Sequence, residues 1–316
     1  MTTDDPSLGR RAARGVVWAA ASVGAGKLVA LVGLVVLARL LSPSDFGLVA
    51  FALVFITYVE TLGDLGAGAA LIYWPDRRDD AAQVSFLVNQ VTGLAWFGLS
   101  WVAAPHVAAF FQTPEGASIL RVMALGLPIK YLASTHDALL QRQIDFRART
   151  AAELGFSLVK FAVAVLLAYR GFGAWSLVWG QLAGQAVSSA ALWLLVPWRP
   201  RARIPSELLG PMLRYGRGLV AVNVLAAVVH HADLVIVGRM LGARALGLYQ
   251  VAGKIPEATI TLLIWVSGKV LFPTLSRVHA EGGSLRRPYL EAIRYVSLLT
   301  LPAVVGLILL ARPLVL

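Results

Sequence analysis

Nine apolar stretches of about 20 residues, separated by short polar segments, leave this chain few ways to fold. A run of ~20 apolar residues is the length at which an α-helix crosses the ~30 Å hydrocarbon layer of a bilayer. The runs are approximately 16–38, 46–74, 84–104, 119–140, 154–169, 175–197, 219–241, 246–272 and 289–310. Of the 316 residues 58% are hydrophobic and 14% charged, against about 25% charged in soluble domains. Backbone polar groups have no water to bond inside a bilayer, so a spanning segment is a helix or a strand of a closed barrel. A barrel would show alternating segments of about ten residues, which this sequence lacks. The fold class is therefore all-α: a polytopic helical membrane protein with about nine transmembrane helices. The connecting segments are too short for a soluble domain or a large catalytic loop.

Two of the turns echo each other. Arg39 to Gly47 reads RLLSPSDFG, and Arg239 to Gly247 reads RMLGARALG. Arg39 pairs with Arg239, Leu41 with Leu241, Gly47 with Gly247 and Leu48 with Leu248. Both copies follow a long apolar run and precede another. That shared place gives force to a modest match and indicates an internal repeat of about 200 residues, a common device of membrane transporters. In the first copy Ser42-Pro43-Ser44-Asp45 is a turn signal whose Ser or Asp caps the next helix. The repeat sets an N-terminal six-helix lobe at residues 1–200, closed by the basic, proline-rich stretch Trp198 to Pro205. Residues 201–316 then supply the first three helices of a second lobe. A complete second lobe needs three more helices, so a C-terminal truncation is expected.

The net charge of +11 would suggest nucleic acid in a soluble protein, but its placement has another cause. With the N-terminus in the cytoplasm, the cytoplasmic segments hold Arg10, Arg11, Arg14, Arg77, Arg78, Arg142, Arg147, Arg149, Arg199, Arg201, Arg203, Arg214, Arg217, Arg277, Arg286 and Arg287. The opposite side holds Arg39, Arg170, Arg239, Arg244 and Arg312. This is a positive-inside pattern, and it makes nucleic acid unnecessary as a partner. The first run is too long for the apolar core of a signal peptide and is retained as a helix. The chain has no cysteine, hence no disulfide and no thiol-bound metal.

No catalytic motif is present. Gly24-Ala25-Gly26-Lys27 resembles the tail of a phosphate-binding loop, but Leu28 stands where Ser or Thr is needed. His230 and His231 point to different helix faces and do not make a joint metal site. No cofactor is expected. The informative residues are the ionisable ones inside the runs, because a charge at mid-membrane costs at least ~2.5–3.5 kcal/mol and normally faces protein or water. Each is either a structural ion pair or snorkelling side chain, or part of a polar cavity. Arg121, near a run's end, suits the first. Lys27, Glu60, Lys254 and Glu257, near the middle of their runs, suit a cavity. Asp64 lies one turn from Glu60, and Lys254 and Glu257 are three apart on one face. The candidate substrate-binding residues are Lys27, Lys254, Lys160, Asn223 and Gln250. The candidates for coupling or charge balance are Glu60, Asp64, Asp233 and Glu257. Central lysines in both lobes suit a cavity that receives an anion.

Several stretches together resemble a known family. They are Ala38-Arg39-Leu40-Leu41-Ser42-Pro43 with Asp45-Phe46-Gly47, Asp64-Leu65-Gly66 with Ala69-Ala70-Leu71, and Leu140-Gln141-Arg142-Gln143 with Asp145-Phe146-Arg147. Further on come Asp233-Leu234-Val235-Ile236-Val237-Gly238-Arg239, Leu246-Gly247-Leu248-Tyr249 and Phe272-Pro273-Thr274-Leu275-Ser276-Arg277. The chain resembles the polysaccharide and lipid-linked oligosaccharide flippases of the multidrug/oligosaccharidyl-lipid/polysaccharide exporter superfamily. The resemblance implies two six-helix lobes around a central cavity in the cytoplasmic membrane. It implies a polyprenyl-diphosphate oligosaccharide as cargo, membrane lipids as surroundings, and polysaccharide polymerase or export machinery as partners. The same fold also serves cation-coupled drug exporters and peptidoglycan-precursor flippases. A membrane glycosyltransferase or polymerase would need a larger loop than any here.

Overall fold

The computed structural model describes residue 26, residues 28–63, 66–73, 77–143, 146–201 and 205–280, and short stretches between 290 and 309. The described residues are helical, with no strand among them. The helices are α1 (Leu28–Leu40), α2 (Pro43–Leu62), α3 (Ala67–Tyr73), α4 (Arg78–Phe110), α5 (Gly116–Ala124), α6 (Gly126–Gln143), α7 (Phe146–Tyr169), α8 (Ala174–Leu195) and α9 (Ser206–Ala280). A further apolar helix covers Val296–Gly306. Five helical stretches among the described residues are long and apolar enough to cross a membrane: Pro43–Thr61, Arg78–Phe110, Gly116–Gln143, Arg147–Tyr169 and Ser206–Lys254. The uncharged 22-residue α8 has the length as well. The chain divides into two compact units, residues 1–248 and 249–316.

Within the first unit two cores lie one at each end of the helices. One gathers Phe51, Phe111, Ile119, Leu120, Met123, Leu127, Val178 and Leu246. The other gathers Ala67, Ala70, Leu71, Ala81, Val84, Leu139, Leu192, Leu208 and Met212. Between them, Leu158, Val222, Leu225 and Val229 point outward, as side chains in contact with lipid do. Charged side chains mark both ends. Arg239 lies over the ring of Phe110 at 5.3 Å, and the turns before α2, before α8 and inside α9 share that end. The other end carries Arg77, paired with Glu207 at 3.0 Å, and Arg201, bound to Gln83 through both amide atoms. Arg77 is held above its usual pKa by hydrogen bonds to Glu207 and then Asp80.

Four interruptions shape the spans, and each has its own rescue. At the start of α2 the expected cap forms: the Asp45 N–H donates to Ser42 Oγ at 3.2 Å, the Ser42 N–H donates to Asp45 Oδ2 at 2.9 Å, and Pro43 occupies the first helical position. The second carboxylate oxygen of Asp45 accepts the Ala174 N–H at 2.9 Å, so one side chain ties the starts of α2 and α8.

The run expected at 46–74 is not one helix. It breaks between Gly63 and Gly66, the latter at φ 74°, and resumes as α3. Hydropathy does not register glycine spacing, so the run looks continuous in sequence. The carbonyl freed at Gly63 accepts the indole N–H of Trp96 at 3.2 Å.

The third run, expected to stop at Pro105, continues through it to Phe110. A proline inside a helix leaves the carbonyl four residues earlier without its N–H. That carbonyl belongs to Trp101, and Arg121 Nε donates to it at 3.4 Å, with the guanidinium 5.6 Å from the Trp101 ring. Arg121 is thus structural, as its position at a run's end suggests. The fourth run divides at Leu125 into α5 and α6, with Pro128 in the first turn of α6, where its missing N–H costs little.

The most extensive helix–helix interface joins α7 to α8. Gly180 and Gly184, four apart on α8, let the backbones approach: a Cβ on Gly180 would lie 2.6 Å from the Lys160 carbonyl, and one on Gly184 2.7 Å from that of Phe156. Small residues at this spacing are the standard solution where lipid supplies no hydrophobic drive between helices. This seam is readable as Gly-x-x-x-Gly but carries no signal in hydropathy.

Two outcomes follow. Arg121→Leu lowers stability by about 1 kcal/mol, and the loss shrinks in a Pro105→Ala background, where the Trp101 carbonyl regains an N–H; thermal unfolding of the four proteins in detergent gives the coupling. Gly180→Val separates α7 from α8 and costs about 1–3 kcal/mol, whereas Gly98→Val, with open space around it, is neutral in the same assay.

Candidate functional site

The ionisable residues that the sequence singles out are brought together in some cases and not in others. Glu60 stands in the last turn of α2, and Lys130 of α6 meets it at 2.9 Å, with side chains 31% and 42% exposed. The two residues are 70 positions apart, so sequence alone does not pair them. Their partial exposure places the pair at the edge of the helix packing, where each charge offsets the other's removal from water.

On the same α2, Tyr58 meets His231 of α9 edge to face at 6.1 Å. Two residues further along α9, Asp233 is exposed. A small apolar cavity of about 320 Å³ lies beside these groups, lined by Val54, Phe55, Tyr58, His106, Phe110 and Val235 among others. Asn223, earlier on α9, is exposed. Lys160 sits on the α7–α8 seam with its ammonium 5.5 Å from the rings of Phe156 and Phe161. Aromatic faces attract a cation, and its stem packs against Gly184.

In the unit 249–316, Lys254 pairs with Glu257 at 2.7 Å within one helical turn, both side chains being about half exposed. Gln250 is half-buried on the same helix. Lys27 and Asp64 lie outside the described residues. Among the described residues no three His, Asp or Glu side chains converge to hold a metal.

Sequence reasoning missed a polar knot deeper in the first unit. Asn89 of α4 donates to Thr135 Oγ1 of α6 at 3.1 Å and lies 3.5 Å from Ser85 Oγ, all three buried. Beside it the buried His136 ring stacks at 4.5 Å on Trp193 and lies 5.6 Å from Trp198. The spacing of Ser85 and Asn89, four apart on one helix face, was the available signal. Chemically, these buried groups hold helices together, whereas the side chains of the Glu60–Lys130 and Lys254–Glu257 pairs are partly exposed.

Comparison with known proteins accords with this arrangement of spans. The family model described as "Polysaccharide biosynthesis protein" matches residues 36–316. The chain is 26% identical to the succinoglycan biosynthesis transport protein ExoT of Rhizobium meliloti (strain 1021), over 88% of this chain and 56% of that protein. It is 22% identical to the teichuronic acid biosynthesis protein TuaB of Bacillus subtilis (strain 168), over 96% of this chain and 63% of the relative. It is 24% identical to the lipopolysaccharide biosynthesis protein WzxC of Escherichia coli (strain K12), over 95% and 62%. The chain thus spans less than two thirds of the length of these relatives. A solved structure described as an inward-facing conformation of a multidrug resistance MATE family transporter of the MOP superfamily has the same fold, with a TM-score of 0.71 and 16% identity over 92% of this chain and 71% of that one.

The Glu60–Lys130 pair makes a direct prediction. Glu60→Gln strands the Lys130 ammonium and lowers stability by about 1–2 kcal/mol, less than the ~3–5 kcal/mol of a fully buried pair because both side chains are partly exposed. The exchange Glu60→Lys with Lys130→Glu recovers most of the loss in thermal unfolding.

A family match that runs from residue 36 to residue 316, most of the chain, leaves one assignment: the chain belongs to the polysaccharide biosynthesis protein family.

Proposed function

We propose that this protein is a flippase that moves a polyprenyl-diphosphate-linked oligosaccharide from the inner to the outer leaflet of the cytoplasmic membrane, for surface polysaccharide or lipopolysaccharide synthesis. The observation that carries this reading is the family match over residues 36–316, supported by relatives whose names are those of polysaccharide transport and biosynthesis proteins. It is a transporter and not an enzyme. Its path is alternating access between an N-terminal six-helix lobe, residues 1–200, and a second lobe that begins at residue 201.

In this reading Lys27 and Lys254 attract the diphosphate, as ammonium groups do. Lys254 is already paired with Glu257, so the diphosphate must compete with a carboxylate 2.7 Å away. That competition supplies a release step: the carboxylate recaptures the lysine when the cargo leaves. Glu60, Asp64, Asp233 and Glu257 tune or couple the charge, and Lys160, Asn223 and Gln250 contribute polar contacts along the path. The sorting of arginines by end supports an N-terminus in the cytoplasm. A polysaccharide polymerase or export complex receives the product.

Replacing Lys27 and Lys254 together by Gln in a strain that depends on this protein abolishes surface glycan while the protein still reaches the membrane; undiminished glycan overturns the assignment of the lysines. The drug-exporter reading, suggested by the multidrug resistance transporter of like fold, predicts instead that deletion changes drug sensitivity and leaves the glycan intact.

A further inference from the structure

The two echoing turns are in contact. A Cβ built on Gly47 of α2 runs into the backbone of Ala243, and one built on Gly247 runs into the carbonyl of Pro43 and lies 2.6 Å from the Gly47 nitrogen. Adding 200 to the first contact's α2 member and subtracting 200 from its α9 member gives the second: Gly47 against Ala243 becomes Gly247 against Pro43. A contact in which residue i meets j and the copy of j meets the copy of i is the mark of a two-fold interface. Here both halves belong to one chain. Six spans separate the copies, an even number, so both turns lie at the same end of the molecule and the axis runs along the membrane normal.

The surroundings follow the same rule. Leu246, one residue from the crossing, is fully buried in the core of the first lobe beside Phe111, and Gly238 packs on that Phe111 ring. Its copy in the first half is Phe46, also buried. The turns themselves differ. Asp45 fastens the first to α8, whereas the second bends at Gly242, with φ 81°, and has no capping side chain at that position.

We propose that Gly47 and Gly247 form the contact that closes one end of the transport path, and that the protein opens at that end only by separating them. This rests on the transport reading above, in which that end faces outward. The glycines are positioning residues: their role is the absence of a side chain, which lets two backbones touch and seals the crevice between α2 and α9 beneath them. A methyl group on either prevents the seal and biases the protein toward the outward-open form.

The chain has no cysteine, so a single introduced thiol reports alone. Val54 is buried on α2 next to Val235 of α9, below the crossing. In intact cells producing the natural full-length protein, Val54→Cys resists a membrane-impermeant maleimide added from outside. Adding Gly47→Ala, or equally Gly247→Ala, raises its labelling at least several-fold, while Gly98→Ala leaves it unchanged. A second measurement keeps both glycines: Pro43→Cys with Ala243→Cys, bridged by a short bis-maleimide, stops glycan export. Unchanged Val54→Cys labelling in either alanine variant, or normal export by the bridged protein, overturns the proposal. If an alanine variant fails to reach the membrane, the bridge decides alone. Labelling that responds in a strain whose glycan never depended on the protein keeps the gate and discards the cargo.

Discussion

The constraint on which the structure depends is that a bilayer offers no water to a backbone group that loses its partner. Every interruption in a span must be met from within the protein. The Gly63 carbonyl is met by Trp96, the Trp101 carbonyl by Arg121, and the first N–H groups of α2 and α8 by Ser42 and Asp45. Apart from the local Ser42 cap, these are cross-helix bonds, so those irregularities also fix one helix against another. Trp96 ties α4 to the end of α2, and Asp45 ties α2 to α8. Breaks in a water-soluble helix would simply be hydrated; here they are the joints of the fold.

The spans that the described residues contain were legible because apolar length is a local property and the bilayer selects for it directly. The cap at Ser42 was legible for the same reason, since its partner Asp45 is three residues away. What failed to show in the sequence was everything that depends on a distant partner. The helix passes through Pro105 only because Arg121, on another helix, supplies the missing donor. Hydropathy treats Gly63 and Gly66 as ordinary members of an apolar run, yet a positive φ at Gly66 and the approach of Gly216 divide it. The ionisable residues show the same limit. Their presence inside the runs was evident, and Lys254–Glu257 was visible as a local pair. The Glu60–Lys130 pair and the His136–Trp193–Trp198 cluster required the tertiary structure.

Charge in this molecule has two separate uses. At the ends, arginines such as Arg77 and Arg201 hold loops to helix starts. Within the spans it is scarce and matched. The energetic cost of burying an ammonium makes such a residue informative only once its partner is known: Lys160 rests on two aromatic rings, Lys130 on a carboxylate. The first arrangement is stable without a ligand. The second leaves a carboxylate and an ammonium that a competing charge can part.

On the repeat reading, the crossing of Gly47 and Gly247 bears on how the two halves of such a chain drift apart. Most positions in a duplicated segment have neighbours of their own, so each copy is free to change by itself. At the crossing a residue's neighbour is its own duplicate. A methyl gained by one copy already fills the gap, and the same methyl gained by both would have to fit twice into one place. The cap beside it carries no such double count: Ser42 and Asp45 in one half correspond to Gly242 and Ala245 in the other, and either solution makes a turn. On the repeat reading, likeness between the halves is kept by touching and lost by mere proximity.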